Sequence, residues 1–255
     1  FEYFSEDPLL AGKMAAAQVE GVQSEGVGAC VKHFALNNAE NYRFMGDSIA
    51  DLRAVREIYL KVFEIVVKEA HPAAVMCAYN KINGEYCSQN KRLLTDVLRG
   101  EWGFGGLVMT DWGAMHDRIA SLKVGLDLEM PGDTAICRKW IEEGIQSGAL
   151  PVQELDKAAE NVLRLVEKYA AAKADDCDFE ENDGLACKVA KDSAVLLKND
   201  GILPLPEGET LFVCGDLFEK MRYQGAGSSM INPAKLTSPT VSYTHLRAHE
   251  TELHL

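Results

Sequence analysis

The chain has 255 residues, of which 47% are apolar, so it can bury a substantial core and is not expected to be disordered. Its formal net charge of −13 at pH 7 argues against nucleic acid and anionic membrane surfaces as partners, because both are polyanions. No apolar run approaches the ~20 residues of a membrane span. Seven cysteines, an odd number without a CxxC pair, disfavour a zinc site or a disulfide framework and favour a reducing, cytoplasmic location.

Short β-rich runs alternate with longer helical patterns in the first two-thirds of the chain. Strands are predicted at residues 29–31, 73–79, 107–110 and 125–130. Helices are predicted at residues 51–68, 91–99, 134–146 and 151–172. This alternation predicts an α/β fold with a parallel sheet. Four strands are about half of an eight-stranded barrel, so residues 1–172 are expected to be the C-terminal part of a TIM-like barrel whose other strands precede Phe1.

The pattern changes after residue 172. A cluster of acidic residues from Asp175 to Asp183 predicts a solvated linker over residues 173–184. A predicted helix at 186–198 and a strand at 211–214 indicate that residues 185–240 begin a second domain, an α/β sandwich.

The last segment, residues 241–255, has no apolar periodicity and resembles translated adapter sequence, so a non-native tail is expected there. It contains three histidines: His245, His249 and His254. The first two could share a helix face, but the segment looks foreign to the fold, and no metal site is predicted.

Three predicted strands end in residues with functional groups. These are Lys32-His33, Tyr79-Asn80 and Asp111-Trp112. Each also has an ordinary structural explanation: Lys32-His33 as a surface pair, Tyr79 as a packed ring and Asp111 as a helix cap. At one rim of a βα barrel, however, they supply a carboxylate, cationic donors and aromatic surfaces. Those are the groups that a sugar site needs.

Longer motifs around these residues resemble glycoside hydrolase family 3. The similar segments lie in the family's order and cover about residues 1–240. They are Phe4–Pro8, Val31–Phe34, Asn37–Arg43, Arg56–Leu60, Met76–Gly84, Thr110–Gly113, Gly125–Pro131, Val195–Asn199 and Gly225–Ser229.

The resemblance implies a retaining β-glycosidase, most similar to β-glucosidases, without a cofactor or metal. By this resemblance, Asp111 is the nucleophile that forms the glycosyl-enzyme intermediate. The implied sugar ligands are Lys32, His33 and Arg43, with Tyr79 close to the nucleophile, Trp112 as a stacking platform, and Asn38 and Glu40 in support.

The sequence departs from the family pattern because it contains no counterpart of the catalytic acid/base. Family β-glucosidases place the acid/base Glu deep in the second domain, and this chain stops before that region, so the chain alone is expected to be inactive. Glu207 and Glu209 are interpreted as surface loop residues. The family's β-N-acetylglucosaminidases carry an acid/base histidine in a loop just after the Lys-His pair. Here that loop contains Ala35–Asn38, which favours the β-glucosidase branch.

Several alternatives remain open at this stage. β-Xylosidases and α-L-arabinofuranosidases share the two-domain architecture. An inactive carbohydrate-binding protein and a non-functional fragment are further possibilities, although the intact Thr110-Asp111-Trp112 motif disfavours a pure binder. The glycine-rich run Gly225–Ser229 lacks the lysine of a phosphate-binding P-loop. The expected partner is a small β-glucoside or an oligosaccharide.

Overall fold

The computed structural model describes residues 3–171, 177–206, 212–225, 227 and 230–241. The chain divides into two compact units, Phe1–Ala174 and Asp175–Leu255. The boundary between them falls within the predicted linker at 173–184.

The first unit contains two small sheets. The strands are β1 (Cys30–Phe34), β2 (Asp47–Ser48), β3 (Ala74–Cys77), β4 (Lys81–Ile82), β5 (Glu85–Tyr86) and β6 (Leu107–Thr110). The larger sheet is parallel and has the order β1-β3-β6, with Val75 of β3 opposite Val31 on one side and Val108 on the other. The smaller sheet pairs β2 in parallel with β4, and β4 in an antiparallel hairpin with β5.

Helices connect and cover these strands. They are α1 (Pro8–Ser24), α2 (Leu52–Ala54), α3 (Lys61–Ala70), α4 (Arg118–Lys123), α5 (Thr134–Gln146), α6 (Val152–Tyr169), α7 (Phe179–Asp192) and α8 (Asp216–Glu219). Two wider π-helical segments lie at Val55–Tyr59 and Arg92–Glu101. Helix α1 begins at Pro8, because proline suits the first turn and the Asp7 carboxylate accepts hydrogen bonds from the N–H groups of Leu9 and Leu10.

The main core lies between the parallel sheet and the Arg92–Glu101 segment. Phe34, Val75, Val108 and Leu98 are fully buried there. Strands β3 and β6 are largely buried and apolar, as expected for a sheet covered by helices. This packing fixes the strands that carry the polar residues at the sheet edge.

The predicted fourth strand is only partly formed. Residues 125–130 lie beside β6, but the pairing is a single parallel bridge between Met109 and Leu128. A regular ladder fails because the N–H of Val108 donates to the Asp127 side chain (Oδ2, 2.7 Å) and not to a backbone carbonyl. The described residues therefore form an open three-stranded sheet with one additional bridge, and no closed barrel is seen among them.

The predicted helices agree with the structure where periodicity was strong. The prediction at 134–146 coincides with α5, and the prediction at 151–172 corresponds to α6, which ends earlier, at Tyr169. The predicted helix at 51–68 is divided into α2, the π-helical segment and α3.

The sequence predictions for the second unit need two corrections. The helix predicted at 186–198 begins earlier, as α7 at Phe179, and so takes in part of the predicted acidic linker; it also ends earlier, at Asp192. The acidic residues favour this start, because Asp178 caps the helix and Glu180 and Glu181 lie in its first turn, near the positive end of the helix dipole. The strand predicted at 211–214 is absent from residues 212–214, which have no ladder partner in the described part of the chain.

Several predicted features lie outside the described residues: Glu207, Glu209, most of the Gly225–Ser229 run and residues 242–255 with their three histidines. Among the residues that are described, no helix is both long and apolar enough to cross a membrane.

Candidate active site

The carboxyl ends of the three parallel strands meet at one edge of the sheet. Beyond the regular ladder, the Ala78 N–H donates to the Phe34 carbonyl at 2.8 Å, and the Asp111 N–H donates to the Cys77 carbonyl at 3.1 Å. Residues directly after β3 and β6 are therefore still held in register. This places His33, near the end of β1, at the same edge as Tyr79 and Asp111.

Asp111 and His33 are in close contact. The Asp111 Oδ2 and His33 Nε2 atoms are 3.3 Å apart, and the two side chains are only 13% and 9% exposed. The other carboxylate oxygen, Oδ1, accepts a hydrogen bond from the Trp112 N–H at 2.6 Å. Asp111 is thus a sheltered carboxylate with one oxygen beside an imidazole and the other engaged by backbone.

The backbone of His33 is held by Tyr3. The Tyr3 hydroxyl lies 3.2 Å from the His33 N and 3.4 Å from its carbonyl oxygen. The sequence analysis did not identify Tyr3. Its one available signal was its position directly before the family-like segment Phe4–Pro8.

Tyr79 lies between Asp111 and Arg43. It is 4% exposed, and its hydroxyl donates to the Trp112 carbonyl at 2.9 Å. Burial, with an additional contribution from the negative charge of Asp111, raises the pKa of Tyr79 to about 12. The hydroxyl therefore keeps its proton at neutral pH and acts as a donor.

Arg43 is brought to this group by contacts in its own loop. Its guanidinium carbon lies 4.4 Å from the centroid of the Tyr79 ring, a cation–π arrangement. The Glu40 carboxylate forms an ion pair with Arg43 and accepts a hydrogen bond from Asn37 Nδ2 at 2.8 Å. Glu40 thus orients the guanidinium, while Asn38, the other predicted supporting residue, is exposed.

Phe44 is a second residue that the sequence analysis missed. Its ring meets the Tyr79 ring edge-on, with 4.5 Å between centroids, and it remains 46% exposed. No sequence motif distinguished it from other exposed aromatic residues.

The remaining predicted site residues, Lys32 and Trp112, have exposed side chains at the same edge. Trp112 is 61% exposed, an unusual environment for an indole ring and a suitable one for stacking on a ligand. Its neighbour Gly113 has φ +81°, a left-handed conformation that a glycine adopts without strain. The Gly113 N–H donates to the Met130 carbonyl at 2.8 Å, which turns the chain just after Trp112.

Taken together, the site offers a sheltered carboxylate, an imidazole, a guanidinium, a phenol that donates, and an exposed indole. The carboxylate can act as a nucleophile and the others as hydrogen-bonding or stacking groups for a polyhydroxylated ring. Within the described parts of the chain, no group of three or more His, Cys, Asp and Glu residues is arranged to hold a metal ion.

Comparison with known proteins identifies relatives of this chain. Residues 1–165 match the family model described as "Glycosyl hydrolase family 3 N terminal domain". The chain is 49% identical to thermostable beta-glucosidase B of Acetivibrio thermocellus, covering 92% of this chain and 32% of that protein. It is 48% identical to an exo-alpha-(1->6)-L-arabinopyranosidase of Bifidobacterium longum, covering 93% of this chain and 33% of that protein.

Solved structures give the same result. Beta-glucosidase 3B from Thermotoga neapolitana, in complex with alpha-D-glucose, superimposes with a TM-score of 0.90 at 40% identity, covering 96% of this chain and 36% of that one. The chain therefore spans about a third of the length of the relatives that it matches.

Proposed function

The chain belongs to glycosyl hydrolase family 3, and from this membership we propose that it contributes the nucleophile and sugar-binding edge of a retaining glycosidase acting on terminal β-D-glucosyl residues. The observation that carries the proposal is the 3.3 Å contact between Asp111 and His33 at the carboxyl end of the parallel sheet. Conserved chemistry in βα folds is concentrated at that end of the strands.

The proposed reaction has two displacements. In the first, an oxygen of Asp111 bonds to the anomeric carbon, and the glycosidic bond breaks as a carboxylic acid protonates the leaving oxygen. In the second, water attacks the same carbon, its proton passes to that acid/base, and the ester to Asp111 breaks. Retaining enzymes hold the two carboxyl groups about 5–5.5 Å apart. Glu40 is not assigned this acid/base role, because it is already engaged by Arg43 and Asn37. We propose that the acid/base comes from the part of the longer relatives that this chain does not cover.

The neighbouring residues are proposed to bind the sugar. Lys32, His33 and Arg43 would donate hydrogen bonds to its hydroxyls. These bonds gain strength as charge develops on the oxocarbenium-like transition state. The Trp112 ring would stack against the C–H face of the sugar. The Tyr79 hydroxyl would hold Trp112 in place through the hydrogen bond to the Trp112 carbonyl oxygen.

The architecture proposed for this function is half of a TIM-like barrel in residues 1–172, followed after the 173–184 region by the start of an α/β sandwich domain in residues 185–240. The parallel order β1-β3-β6 and the alternating helices support the first part. A three-stranded sheet with open edges is expected to pair with further strands. The odd number of cysteines remains the basis for proposing a cytoplasmic location.

A second candidate substrate is an α-L-arabinopyranoside. The Bifidobacterium longum relative is named for that activity and is nearly as similar to this chain as the A. thermocellus β-glucosidase. The two sugars present the same equatorial anomeric bond to a nucleophile. They differ at C4 and C5, so the two candidates predict different substrates from the same Asp111 chemistry.

The test uses the full reading frame that carries this chain. The purified protein is treated with an activated 2-deoxy-2-fluoro-β-glucoside, and the labelled peptide is mapped by mass spectrometry. We expect the label on the peptide that contains Asp111, and no label in the Asp111→Asn variant. A label on another carboxylate would overturn the nucleophile assignment.

Substrate class is tested in parallel with aryl β-glucoside, β-xyloside, α-L-arabinofuranoside and α-L-arabinopyranoside. Faster turnover of the arabinopyranoside would favour the second candidate. Absence of both label and turnover, with sugar binding retained, would identify an inactive carbohydrate-binding protein.

A further inference from the structure

The Tyr79 hydroxyl holds the Trp112 carbonyl, and three further contacts after Trp112 attach the loop from Asp111 to Asp117 to the rest of the first unit. The Gly113 N–H donates to the Met130 carbonyl at 2.8 Å. The Ser88 hydroxyl donates to the Ala114 carbonyl at 3.2 Å. The third attachment is an aromatic stack between His116 and Tyr86. Trp112 lies inside this segment, directly before the first attachment.

The stack is close and nearly parallel. The centroids of the His116 and Tyr86 rings are 3.5 Å apart, and the ring planes differ by 16°. Tyr86 belongs to β5 and lies directly opposite Lys81 of β4 in the antiparallel hairpin. The Lys81 ammonium group lies 4.8 Å from the Tyr86 ring centroid. The hairpin therefore presents a ring held by its own cross-strand partner.

The location of this stack distinguishes it from core packing. Tyr86 is partly exposed and His116 is exposed, so the pair contributes little to the main core. Partial burial, together with the positive charge of Lys81, lowers the pKa of His116, which favours a neutral imidazole at neutral pH. A neutral imidazole stacks on a phenol without bringing a second positive charge next to Lys81.

From outside the loop, the Trp112 backbone is held by the hydrogen bond from Tyr79 to its carbonyl, whereas the Asp111 backbone is held by the sheet itself. The Asp111 N–H bonds to Cys77, so its backbone is held by the sheet. Beyond it the chain turns at Gly113, whose φ of +81° favours glycine. The His116–Tyr86 stack lies beyond that turn and restrains the part of the loop that follows it.

We propose that Tyr86 and His116 are positioning residues for Trp112: their stacked rings attach the 111–117 loop to the β4–β5 hairpin and hold the indole beside Asp111. This inference rests on the proposed function, because it takes Trp112 to be the sugar platform. It assigns the stack no direct contact with the substrate.

The first test measures kinetics in the full reading frame. His116→Ala should raise KM for an aryl glycoside by roughly two- to tenfold, the range of an aromatic pair, with a smaller change in kcat. His116→Phe keeps a flat ring and should restore KM to the parent value. Tyr86→Leu keeps apolar volume without the ring and tests the same contact from the hairpin. The double variant His116→Ala/Tyr86→Leu should be no worse than either single variant, because both remove one interaction.

Glu85→Ala is the matched control, since Glu85 is an exposed neighbour of Tyr86 on the same hairpin and lies outside the stack. It should leave KM unchanged. Unchanged KM in His116→Ala and Tyr86→Leu would overturn the inference, and so would a His116→Phe variant as impaired as His116→Ala.

A second readout does not depend on activity. Amide hydrogen exchange at Gly113 should accelerate in His116→Ala, because its bond to Met130 is no longer protected by the stack. It should return to the parent rate in His116→Phe. If the parent protein proves inactive on every glycoside while exchange responds as expected, the proposed function fails and the loop attachment stands. If the parent is active but neither exchange nor KM responds, the attachment fails and the function stands.

Discussion

His33 and Asp111 are in contact across the end of the central strand. His33 lies on β1 and Asp111 directly follows β6, and these are the two outer strands of the order β1-β3-β6. Their side-chain atoms are nevertheless only 3.3 Å apart. The sheet therefore brings its outer strands together above β3, at the edge where Tyr79 emerges. A ring-shaped substrate bound there would face residues from all three strands.

The Asp111→Asn variant tests the carboxylate in this contact. An amide has nearly the same shape but cannot form the glycosyl ester, so we expect turnover in the full reading frame to fall by at least about 10³-fold. Sugar affinity should remain within a few-fold, because the other binding groups are intact. Steady-state kinetics and glucose binding by calorimetry measure the two quantities.

Asp96→Asn is the matched control for that variant. Asp96 is an exposed carboxylate, and its contact with Lys91 is a surface ion pair, which contributes little to stability. Its replacement should leave both turnover and sugar affinity unchanged. Near-normal turnover in Asp111→Asn would show that another group is the nucleophile.

Much of this site was predictable from sequence because its residues follow strands. The prediction at 107–110 coincides with β6, and the position of Asp111 immediately after it follows directly. The same reasoning placed His33 and Tyr79 at the same edge. Strand periodicity and the location of strand ends are local properties, and local patterns are what a single sequence reports well.

Other features depend on contacts between distant segments and were not predictable. The hydroxyl of Tyr3 reaches the backbone of His33, and His116 stacks on Tyr86. Neither pair has a periodicity or spacing that signals it. The prediction of a regular fourth strand at 125–130 was wrong for a similar reason. The Val108 N–H, which a regular ladder would pair with a backbone carbonyl, donates to the Asp127 side chain.

Trp112→Ala tests the exposed indole as a binding surface. If the ring stacks on the sugar, its loss should weaken affinity by ~1–3 kcal/mol in the full reading frame. Trp140→Ala is the control, because Trp140 is also exposed but lies on α5, against Arg118. Inhibition constants for glucose and KM for an aryl glucoside measure the effect. Equal responses of the two variants would mean that Trp112 has no special role in binding.

Tyr79 provides a prediction for alkaline pH. Its pKa is raised from 10 in the unfolded chain to about 12 in the folded protein, so the protonated phenol stabilises the fold. That contribution is fully present below pH 10 and is lost as the pH rises towards 12. Tyrosinate formation is measured by absorbance as the pH is raised, in the parent protein and in Tyr79→Phe. The parent should show one additional tyrosine that ionises in this upper pH range. A difference centred near pH 10 would contradict the burial of this hydroxyl.

Tyr79→Phe also removes the hydrogen bond to the Trp112 carbonyl. Loss of this part-buried hydrogen bond should cost about 1–2 kcal/mol of unfolding free energy, measured at neutral pH. Tyr59→Phe, in the π-helical segment, is the matched control for the bond, because it removes a tyrosine hydroxyl other than the one bonded to Trp112. The two measurements on Tyr79 are independent, because one reports ionisation and the other reports the bond.

The last prediction concerns Asp127, whose side chain is 3% exposed. Its carboxylate receives hydrogen bonds from Arg99 Nη2 at 2.7 Å, the Val108 N–H at 2.7 Å and Asn161 Nδ2 at 2.9 Å. Asp127→Ala leaves the Arg99 charge and the Val108 N–H without this partner, and removing one member of such a pair typically costs about 3–5 kcal/mol. Denaturant unfolding should show this loss as a lower midpoint with an unchanged slope.

A paired replacement separates the contribution of the Arg99–Asp127 ion pair from that of the hydrogen bond to Val108. In Asp127→Leu/Arg99→Met both charges are removed together, so the double variant should be considerably more stable than Asp127→Ala. The Val108 N–H still loses its partner, so some destabilisation should remain. If the double variant were as unstable as Asp127→Ala, the hydrogen bond to β6 and not the ion pair would be the main contribution of Asp127. Strand β6, which ends directly before Asp111, thus receives a hydrogen-bond acceptor from a carboxylate of the neighbouring segment.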